Sequence, residues 1–224
     1  EDVDYIYERN RYGIYICVSG SKYGLLSPEG NILVKASYDK IRTISEGLYI
    51  ASILEEDRYN MKSGVIDVNG NVIIDLQYFY LEPFYGRVVH SCISPDIKIK
   101  LEDIEIPEKI EHLLIYNYGF GIIDLKGNVC IQTGHNDIQK TEYGYILKKD
   151  DKYGYAALDY SIICEPKYAS IEEVGNGFKK VSVSTVCGLK YGIMDQSGTE
   201  CLEPIYISIG NMNEEGEADI IAPG

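Results

Sequence analysis

Three histidines, His90, His112 and His135, are the side chains best suited to acid or base catalysis near neutral pH. His90 and His112 have no serine or cysteine beside them in a recognisable nucleophile setting. His135 occupies a position at which four other segments carry tyrosine, which favours an aromatic packing role over catalysis. We therefore predict no catalytic residue.

Metal and cofactor sites are not predicted either. Asp67, Asn69 and Asn71 begin like a calcium loop, but Val72 stands where that loop needs glycine and Tyr78 where it needs glutamate. The cysteines form no closely spaced pair of the kind that binds zinc. The glycine-rich stretches lack the third glycine and the following helix of a dinucleotide-binding motif.

Tyrosine is the only abundant recognition side chain, with 21 copies in 224 residues. Its ring offers a broad apolar face with a polar tip, which suits both protein interfaces and stacking on sugars. The tyrosines that lie outside repeated positions are our candidates for contact with a partner. They are Tyr49, Tyr80, Tyr85 and Tyr116.

The elements that position these residues recur along the chain. A glycine followed 14 positions later by an aromatic residue appears five times: Gly24 and Tyr38, Gly64 and Tyr78, Gly121 and His135, Gly154 and Tyr168, Gly192 and Tyr206. An aliphatic residue stands three positions after each aromatic one, and a second glycine six positions after each first glycine, except for Tyr160 in the fourth unit. Fixed offsets over several copies indicate a repeat protein.

These offsets resemble the bacterial WG repeat, whose units read roughly as Trp-Gly, an aliphatic pair, Asp, Gly, a β run and then Tyr-Asp. The resemblance covers nearly the whole chain. It departs at the namesake residue, since the sequence contains no tryptophan and Tyr, Phe or Ser precedes the first glycine of each unit. The resemblance implies a β-repeat fold but no one activity, because the family is defined by its repeat.

The stretch VIDVNGNVII predicts a β-hairpin whose turn runs from Asp67 to Gly70. We predict an all-β array of about five β-meander units, each a hairpin plus a third strand. Apolar runs such as Ile32-Leu33-Val34 are expected to be buried on both faces. Five hairpins but six candidate third strands favour an open β-solenoid or superhelix, with a five-bladed β-propeller as the alternative.

Residues 1–224 are expected to form one array, and a fragment of a longer protein, with an insertion at about residues 94–114. The insertion is the one segment that the repeat does not require, and it alone shows helical periodicity, from Pro95 to Leu114. It either projects towards a basic or mixed partner surface or is a solvated loop. Its candidate contact residues are Asp96, Glu102, Asp103, Glu105, Glu108 and Glu111.

The formal charge of −14 disfavours nucleic acid and anionic membranes as partners, because phosphate binding needs a basic footprint. No segment is long and apolar enough to span a bilayer. Cys130 and Cys201 lie at positions where other units carry Leu33 or Ile73, so we expect them to be free thiols in the core. Unpaired cysteines favour a cytoplasmic location, with the cell surface as the alternative.

We favour a non-catalytic module that presents an extended β surface to a protein partner, because repeat arrays offer long surfaces without special residues. A glycan or cell-wall binding module is the alternative that the tyrosines suggest. An enzyme is the third class, and it would need a concave site built from residues that break the repeat, such as His135 and Asp137. No cofactor is expected, and the oligomeric state is left open.

Overall fold

A computed structural model describes residues 3–55, 60–85, 110–211, 213 and 217–222. Within these residues the regular elements are all β-strands, which form five four-stranded antiparallel sheets and one two-stranded sheet. None of these sheets closes into a barrel, which confirms the all-β class and is consistent with the β-solenoid. Four strands per sheet is also the usual number in a propeller blade, so the choice between the two architectures stays a prediction.

The chain divides into two compact units, one with the described residues up to Thr133 and the other with those from Gly134 onward. The prediction of a single array stays a prediction. The strands of the first unit are β1 Tyr5–Arg9, β2 Tyr15–Ser19, β3 Lys22–Leu26, β4 Ile32–Tyr38, β5 Lys40–Ser45, β6 Leu48–Leu54, β7 Met61–Asp67, β8 Val72–Tyr78, β9 Tyr80–Pro83, β10 His112–Tyr116, β11 Phe120–Asp124 and most of β12 Val129–His135.

The second unit continues the same pattern. Its strands are β13 Asp137–Lys140, β14 Gly144–Lys149, β15 Lys152–Ala157, β16 Ile162–Tyr168, β17 Ser170–Gly175, β18 Phe178–Thr185, β19 Gly188–Met194, β20 Glu200–Tyr206, β21 Ser208–Ile209 and β22 Ile220–Ile221. Each four-stranded sheet takes four consecutive strands in chain order, from β1–β4 to β17–β20, and β21 pairs with β22. Every four-stranded sheet is therefore a meander in which the first and fourth strands form the edges.

Each sheet has four strands where the sequence predicts three, because an additional strand such as β5 lies between the hairpin and the predicted third strand. Tyr38 ends β4 opposite Tyr23, and Ile41 lies in β5 of the next sheet, opposite Ala51. The aromatic residue of the repeat thus closes one sheet, and the aliphatic residue three positions later opens the next. This aliphatic residue is at most 7% exposed in all five cases: Ile41, Leu81, Ile138, Ile171 and Ile209.

The core lies between successive sheets within each unit. In the first unit, Ile16, Leu25 and Val34 of the first sheet pack with Ile41 and Ile66 of the second. A further cluster joins the second sheet to the third, and in the second unit the same arrangement joins the fourth sheet to the fifth. Burial of one sheet face against the next is the expected source of stability in a repeat protein.

The hairpin turn has the predicted geometry. The amide of Gly70 donates to the carbonyl oxygen of Asp67 at 3.1 Å, and Gly70 has a φ of +83°. Tyr160 replaces this glycine in the fourth unit and still adopts a φ of +69°. Its ring stacks on Tyr145 with centroids 5.0 Å apart, and its hydroxyl accepts a hydrogen bond from that of Tyr145 at 3.1 Å. These contacts stabilise a conformation that is unfavourable for a residue with a side chain.

Glycine is required at the first glycine position of each unit for a different reason, which is the close approach of the neighbouring strand. An ideal Cβ at Gly64 would lie 2.3 Å from the carbonyl oxygen of Ile74, a backbone atom of the neighbouring strand. A bulge between β7 and β8 brings the two backbones this close. The corresponding distances are 2.5 Å at Gly24, 2.6 Å at Gly121, 2.6 Å at Gly154 and 2.4 Å at Gly192.

Burial of the fourth strand on both faces is a wrong prediction. Ile32 is 45% exposed and Val34 is 7% exposed. They pair with Leu26 and Leu25, which are adjacent in β3, so a bulge turns the two side chains to opposite faces of the sheet. Pro166 and Pro204 lie in β16 and β20, and proline within a sheet is tolerated on edge strands. The hydrophobic run is thus an edge strand with one solvated face.

The predicted insertion ends earlier than residue 114. Residues 95–109, which carry most of the expected helical pattern, lie outside the described residues. Its last residues belong to β10, in which Leu113 is fully buried and pairs with Pro83 of β9 and Ile123 of β11. The helical prediction is therefore wrong for His112 to Leu114, which form a central strand of the third sheet.

Candidate interaction surface

Tyr49 is not a surface residue, so the prediction that it contacts a partner is wrong. Its side chain has no exposed surface, and its hydroxyl accepts a hydrogen bond from Asn10 Nδ2 at 3.1 Å. Burial raises the pKa of this hydroxyl. Tyr49 lies in β6, which has a neighbouring strand on each side, and its face packs against the first sheet. A side chain in this position cannot reach a second molecule.

Tyr80 and Tyr116 are half-buried and lie opposite each other on β9 and β10. The Tyr80 hydroxyl donates a hydrogen bond to Glu82, and the Arg42 guanidinium lies 5.8 Å from the centre of the Tyr80 ring. Tyr85 is also half-buried, and burial raises its pKa. The structure thus places Tyr80 and Tyr116 side by side, and their contact with a partner stays a prediction.

Of the six acidic candidates in the insertion, only Glu111 is described, and its side chain is exposed directly before β10. The other five lie outside the described residues: Asp96, Glu102, Asp103, Glu105 and Glu108. Because Leu113 belongs to the core, an experiment that replaces the insertion has to end before residue 110.

A repeated surface feature appears at the start of the fourth strand, eight residues after the first glycine of a unit. Four sheets carry an exposed β-branched aliphatic side chain there, which we call the exposed aliphatic positions: Ile32 at 45%, Val72 at 51%, Val129 at 45% and Ile162 at 44% exposure. The strand register shows the equivalence, since Ile32 pairs with Leu26 and Val72 with Ile66. The same apolar contact is therefore offered in four sheets.

Sequence reasoning missed these positions because it interpreted the whole apolar run as core. One signal was available in the fifth unit, where Glu200 occupies the equivalent place opposite Met194. An acidic residue at a position that is apolar elsewhere indicates contact with solvent. Tyr118 was missed as well, although it is 84% exposed in the turn between β10 and β11.

A buried polar cluster in the second unit is the most unusual group of titratable side chains among the described residues. Lys179 is fully buried, and its Nζ donates to the carbonyl oxygen of Gly177 at 2.8 Å and lies 4.2 Å from the centre of the Tyr155 ring. Burial lowers the pKa of this amine. The hydroxyls of Tyr155 and Thr141 both donate to Glu173 Oε1, at 3.1 and 2.5 Å.

The lysine cluster supports packing and lacks access to a substrate. Lys179 lies opposite Met194, at the place where three other units carry a tyrosine. Those tyrosines are Tyr15, Tyr49 and Tyr145. A catalytic lysine must reach the atom that it attacks, and Lys179 has no exposed surface from which to do so. His135 is likewise 9% exposed, as expected for an aromatic residue that replaces tyrosine.

Cys130 and Cys201 are not in the core, contrary to prediction: the first is half-buried and the second is exposed. The buried position of the fourth strand is one residue later, at Val34, Ile74 and Ile131. Within the described residues the cysteines are free thiols, and Cys17 is 2% exposed with a pKa that burial raises.

We expect Cys201 and Cys187 to react rapidly with a maleimide in the native protein and Cys17 to react only on unfolding, because thiolate formation and access both decide the rate. Timed labelling followed by peptide mass spectrometry measures each rate, and labelling in denaturant gives the unprotected reference. Equal protection of Cys201 and Cys17 would contradict the exposed position of Cys201.

The described residues contain no group of three or more histidine, cysteine or acidic side chains arranged to hold a metal ion. No helix in the described part of the chain is long and apolar enough to cross a membrane.

Comparison with known proteins confirms the resemblance inferred from the repeat offsets. Residues 23–54 and 64–86 match the family model of the WG containing repeat. A search of curated proteins found no match. Among solved structures, one match is titled "Crystal structure of the eukaryotic initiation factor"; it has a TM-score of 0.35 and 10% sequence identity, and the alignment covers 98% of this chain and 70% of that one.

Proposed function

We propose that this chain, with WG containing repeats at residues 23–54 and 64–86, is a non-catalytic interaction module that presents the outer strands of its sheets to a protein partner. The observation that supports this function is the exposed β-branched side chain at an equivalent place in four sheets. Each such side chain gains little from burial alone, but several contacts made together add through effective concentration. Several weak apolar contacts made together therefore give a higher affinity for the partner than any one of them.

The charge around these positions indicates the chemistry of the partner. Three residues further along the fourth strands of these four sheets, the exposed side chains are Lys35, Asp75, Gln132 and Glu165, and the fifth sheet carries Glu203 at the same place. Three of these five are acidic, in a chain with a formal charge of −14. A partner that places apolar side chains beside basic ones would complement this surface.

Glycan binding along the whole array is less well supported. That alternative predicts an exposed aromatic side chain at the same position in several units. Among the described residues, the exposed tyrosines Tyr5, Tyr7 and Tyr118 occupy unrelated positions, and the repeated exposed side chain is aliphatic. An aliphatic side chain contacts apolar protein surface well but offers a sugar no ring face or hydrogen bond.

A triple variant tests the proposed function. Ile32→Thr, Val72→Thr and Val129→Thr keep the β-branch at exposed sites, so each should change stability by no more than about 0.5 kcal/mol. We expect capture of the partner from a lysate of the source cells to fall about tenfold or more, measured by quantitative mass spectrometry against the parent chain.

The matched control changes three exposed apolar side chains away from the exposed aliphatic positions: Leu158→Thr, Val186→Thr and Leu189→Thr. It should capture the partner as well as the parent does. Equal capture by both triple variants, with unchanged circular dichroism, would refute the assignment of the outer strands.

A further inference from the structure

A cavity of about 320 Å³ lies in the fifth sheet, between the turn that joins β17 to β18 and the turn that joins β19 to β20. The first turn contributes Asn176 and Gly177, and the second contributes Asp195, Gln196 and Ser197. Phe178, at the start of β18, completes the lining, and it also packs against the buried cluster of Val174, Ile193 and Ile209. The volume is at the lower end of the range for small-molecule sites, roughly 300 to 1,000 Å³.

Gln196 breaks the repeat at this cavity. The equivalent residues of the other four units are Pro28, Val68, Leu125 and Leu158, none of which is polar. The Gln196 amide fills the space beside Gly177, where an ideal Cβ would lie 1.8 Å from Nε2. At the corresponding Gly47 of the second sheet nothing lies within 4 Å. At the equivalent Gly13 of the first sheet, an ideal Cβ would lie 3.6 Å from Pro28 Cγ, an ordinary van der Waals distance. The close contact of a polar side chain between the two turns therefore distinguishes the fifth sheet from the first and second.

Asp195 differs from the equivalent Asp67 and Asp124, because one of its carboxylate oxygens accepts no hydrogen bond from the described residues. In the second unit, Asp67 Oδ1 accepts from two turn amides, and its Oδ2 accepts from Asn71 Nδ2 at 2.7 Å. Asp124 makes the same bonds with Asn128. In the fifth unit Thr199 replaces that asparagine.

The hydrogen bonds to the Asp195 carboxylate all go to Oδ1. They come from Ser197 N at 2.8 Å, Ser197 Oγ at 2.7 Å and Thr199 N at 3.0 Å. Within the described part of the chain no donor bonds to Oδ2. The hydrogen bond from the Ser197 side chain is the main reason that the pKa of Asp195 lies below its ordinary value. The cavity is thus lined by an ionised carboxylate with one oxygen available to a ligand.

We propose that this cavity binds one neutral sugar ring, such as a hexose unit of a glycan. Hydroxyl groups of the sugar donate to Asp195 Oδ2, and the amides of Asn176 and Gln196 provide both donors and acceptors. Phe178 offers an apolar surface to the carbon atoms of the ring. A volume of about 320 Å³ is sufficient for one ring.

Charge favours a neutral ligand over an ionic one. The carboxylate of Asp195 and the formal charge of −14 oppose an anion. The buried Lys179 interacts electrostatically with Asp195 and bonds to Gly177, which lines the cavity. In its protonated form Lys179 reduces the attraction that Asp195 alone would exert on a cation.

The test uses the full chain and a panel of neutral methyl glycosides, of glucose, galactose, mannose and N-acetylglucosamine. We expect at least one of them to shift the backbone amide NMR signals of residues 176–178 and 195–198, with a Kd of about 1 mM. Asp195→Asn keeps the turn acceptor but puts a donor in place of Oδ2, and should weaken binding about tenfold or more.

A second variant and a control complete the design. Gln196→Leu introduces the residue that the third and fourth units carry, so it preserves the fold and should also weaken binding about tenfold. Asp67→Asn makes the same chemical change in the equivalent turn of the second sheet and should leave binding unchanged.

Three results would overturn the proposal. They are the absence of shifts at these amides with every glycoside up to about 10 mM, equal affinity of Asp195→Asn, Gln196→Leu and the parent, and preferential binding of arginine or lysine amide, which would indicate a basic peptide side chain instead. None of these results bears on the exposed aliphatic positions, so the site and the proposed function fail separately.

Discussion

A Gly64→Ala variant is expected to lose about 3 kcal/mol of its free energy of unfolding, because the added methyl group meets the backbone of the neighbouring strand. The ideal Cβ lies 2.3 Å from the carbonyl oxygen of Ile74 and 2.8 Å from the carbonyl carbon of Asp75. These are backbone atoms of β8, which can move aside only by disturbing its pairing with β7. Denaturant unfolding followed by circular dichroism measures the loss.

Gly210→Ala is the matched control. Its nearest contacts are at 3.7 Å, an ordinary van der Waals distance, so we expect a change within about 0.5 kcal/mol. If both alanine variants unfold at the same denaturant concentration, the close approach of the two strands at Gly64 is wrong. The same comparison can be repeated at Gly192, where the distance to the carbonyl oxygen of Leu202 is 2.4 Å.

The second large effect is unfolding in alkali, which we expect above about pH 10. Burial raises the pKa of Tyr155 and Tyr168 well above the ordinary tyrosine value, and their hydrogen bonds to Glu173 and Glu200 act in the same direction. The folded state keeps these protons at a pH where the unfolded chain loses them. Their stabilisation is therefore complete below the unfolded pKa of about 10 and is lost as pH rises above it.

Circular dichroism and phenolate absorbance, recorded along one pH titration, test this prediction. We expect part of the phenolate signal to appear together with the loss of β structure. Tyr168→Phe removes one buried ionisable group and should move the transition to higher pH. Tyr118→Phe, at a side chain that is 84% exposed, should leave it in place. Complete ionisation of the tyrosines with the β spectrum intact would contradict the burial of Tyr155 and Tyr168.

Two tyrosines illustrate why the exposure of a side chain is hard to predict from the sequence. Tyr49 and Tyr118 are both tyrosines outside the repeated positions, yet one has no exposed surface and the other is 84% exposed. Tyr49 is buried by residues that are distant in sequence, such as Asn10, whose amide bonds to its hydroxyl. Such contacts leave no trace in the sequence around the tyrosine. The repeat offsets also did not predict that Asp195 Oδ2 is available. It is available because Thr199 replaces the asparagine that bonds to the equivalent oxygen of Asp67 and Asp124.

Local patterns in the sequence determined the strand-forming repeat, the position of each hairpin turn and the buried aliphatic residue after each aromatic one. These features depend on backbone conformation and on hydrogen bonds between residues close along the chain, as in the bond from Gly70 N to Asp67 O. Because the same offsets occur in five copies, the assignment of strands and turns does not depend on any single segment.

Only the tertiary structure decided which strands share a sheet and which faces meet solvent. Ile32 and Val34 are both aliphatic and two residues apart, but their exposures are 45% and 7%. The difference arises because a bulge between β3 and β4 turns Ile32 to the solvated face of the sheet, whereas Val34 packs against the second sheet. Burial depends on neighbours that come from other sheets, and a pattern within one strand cannot specify them.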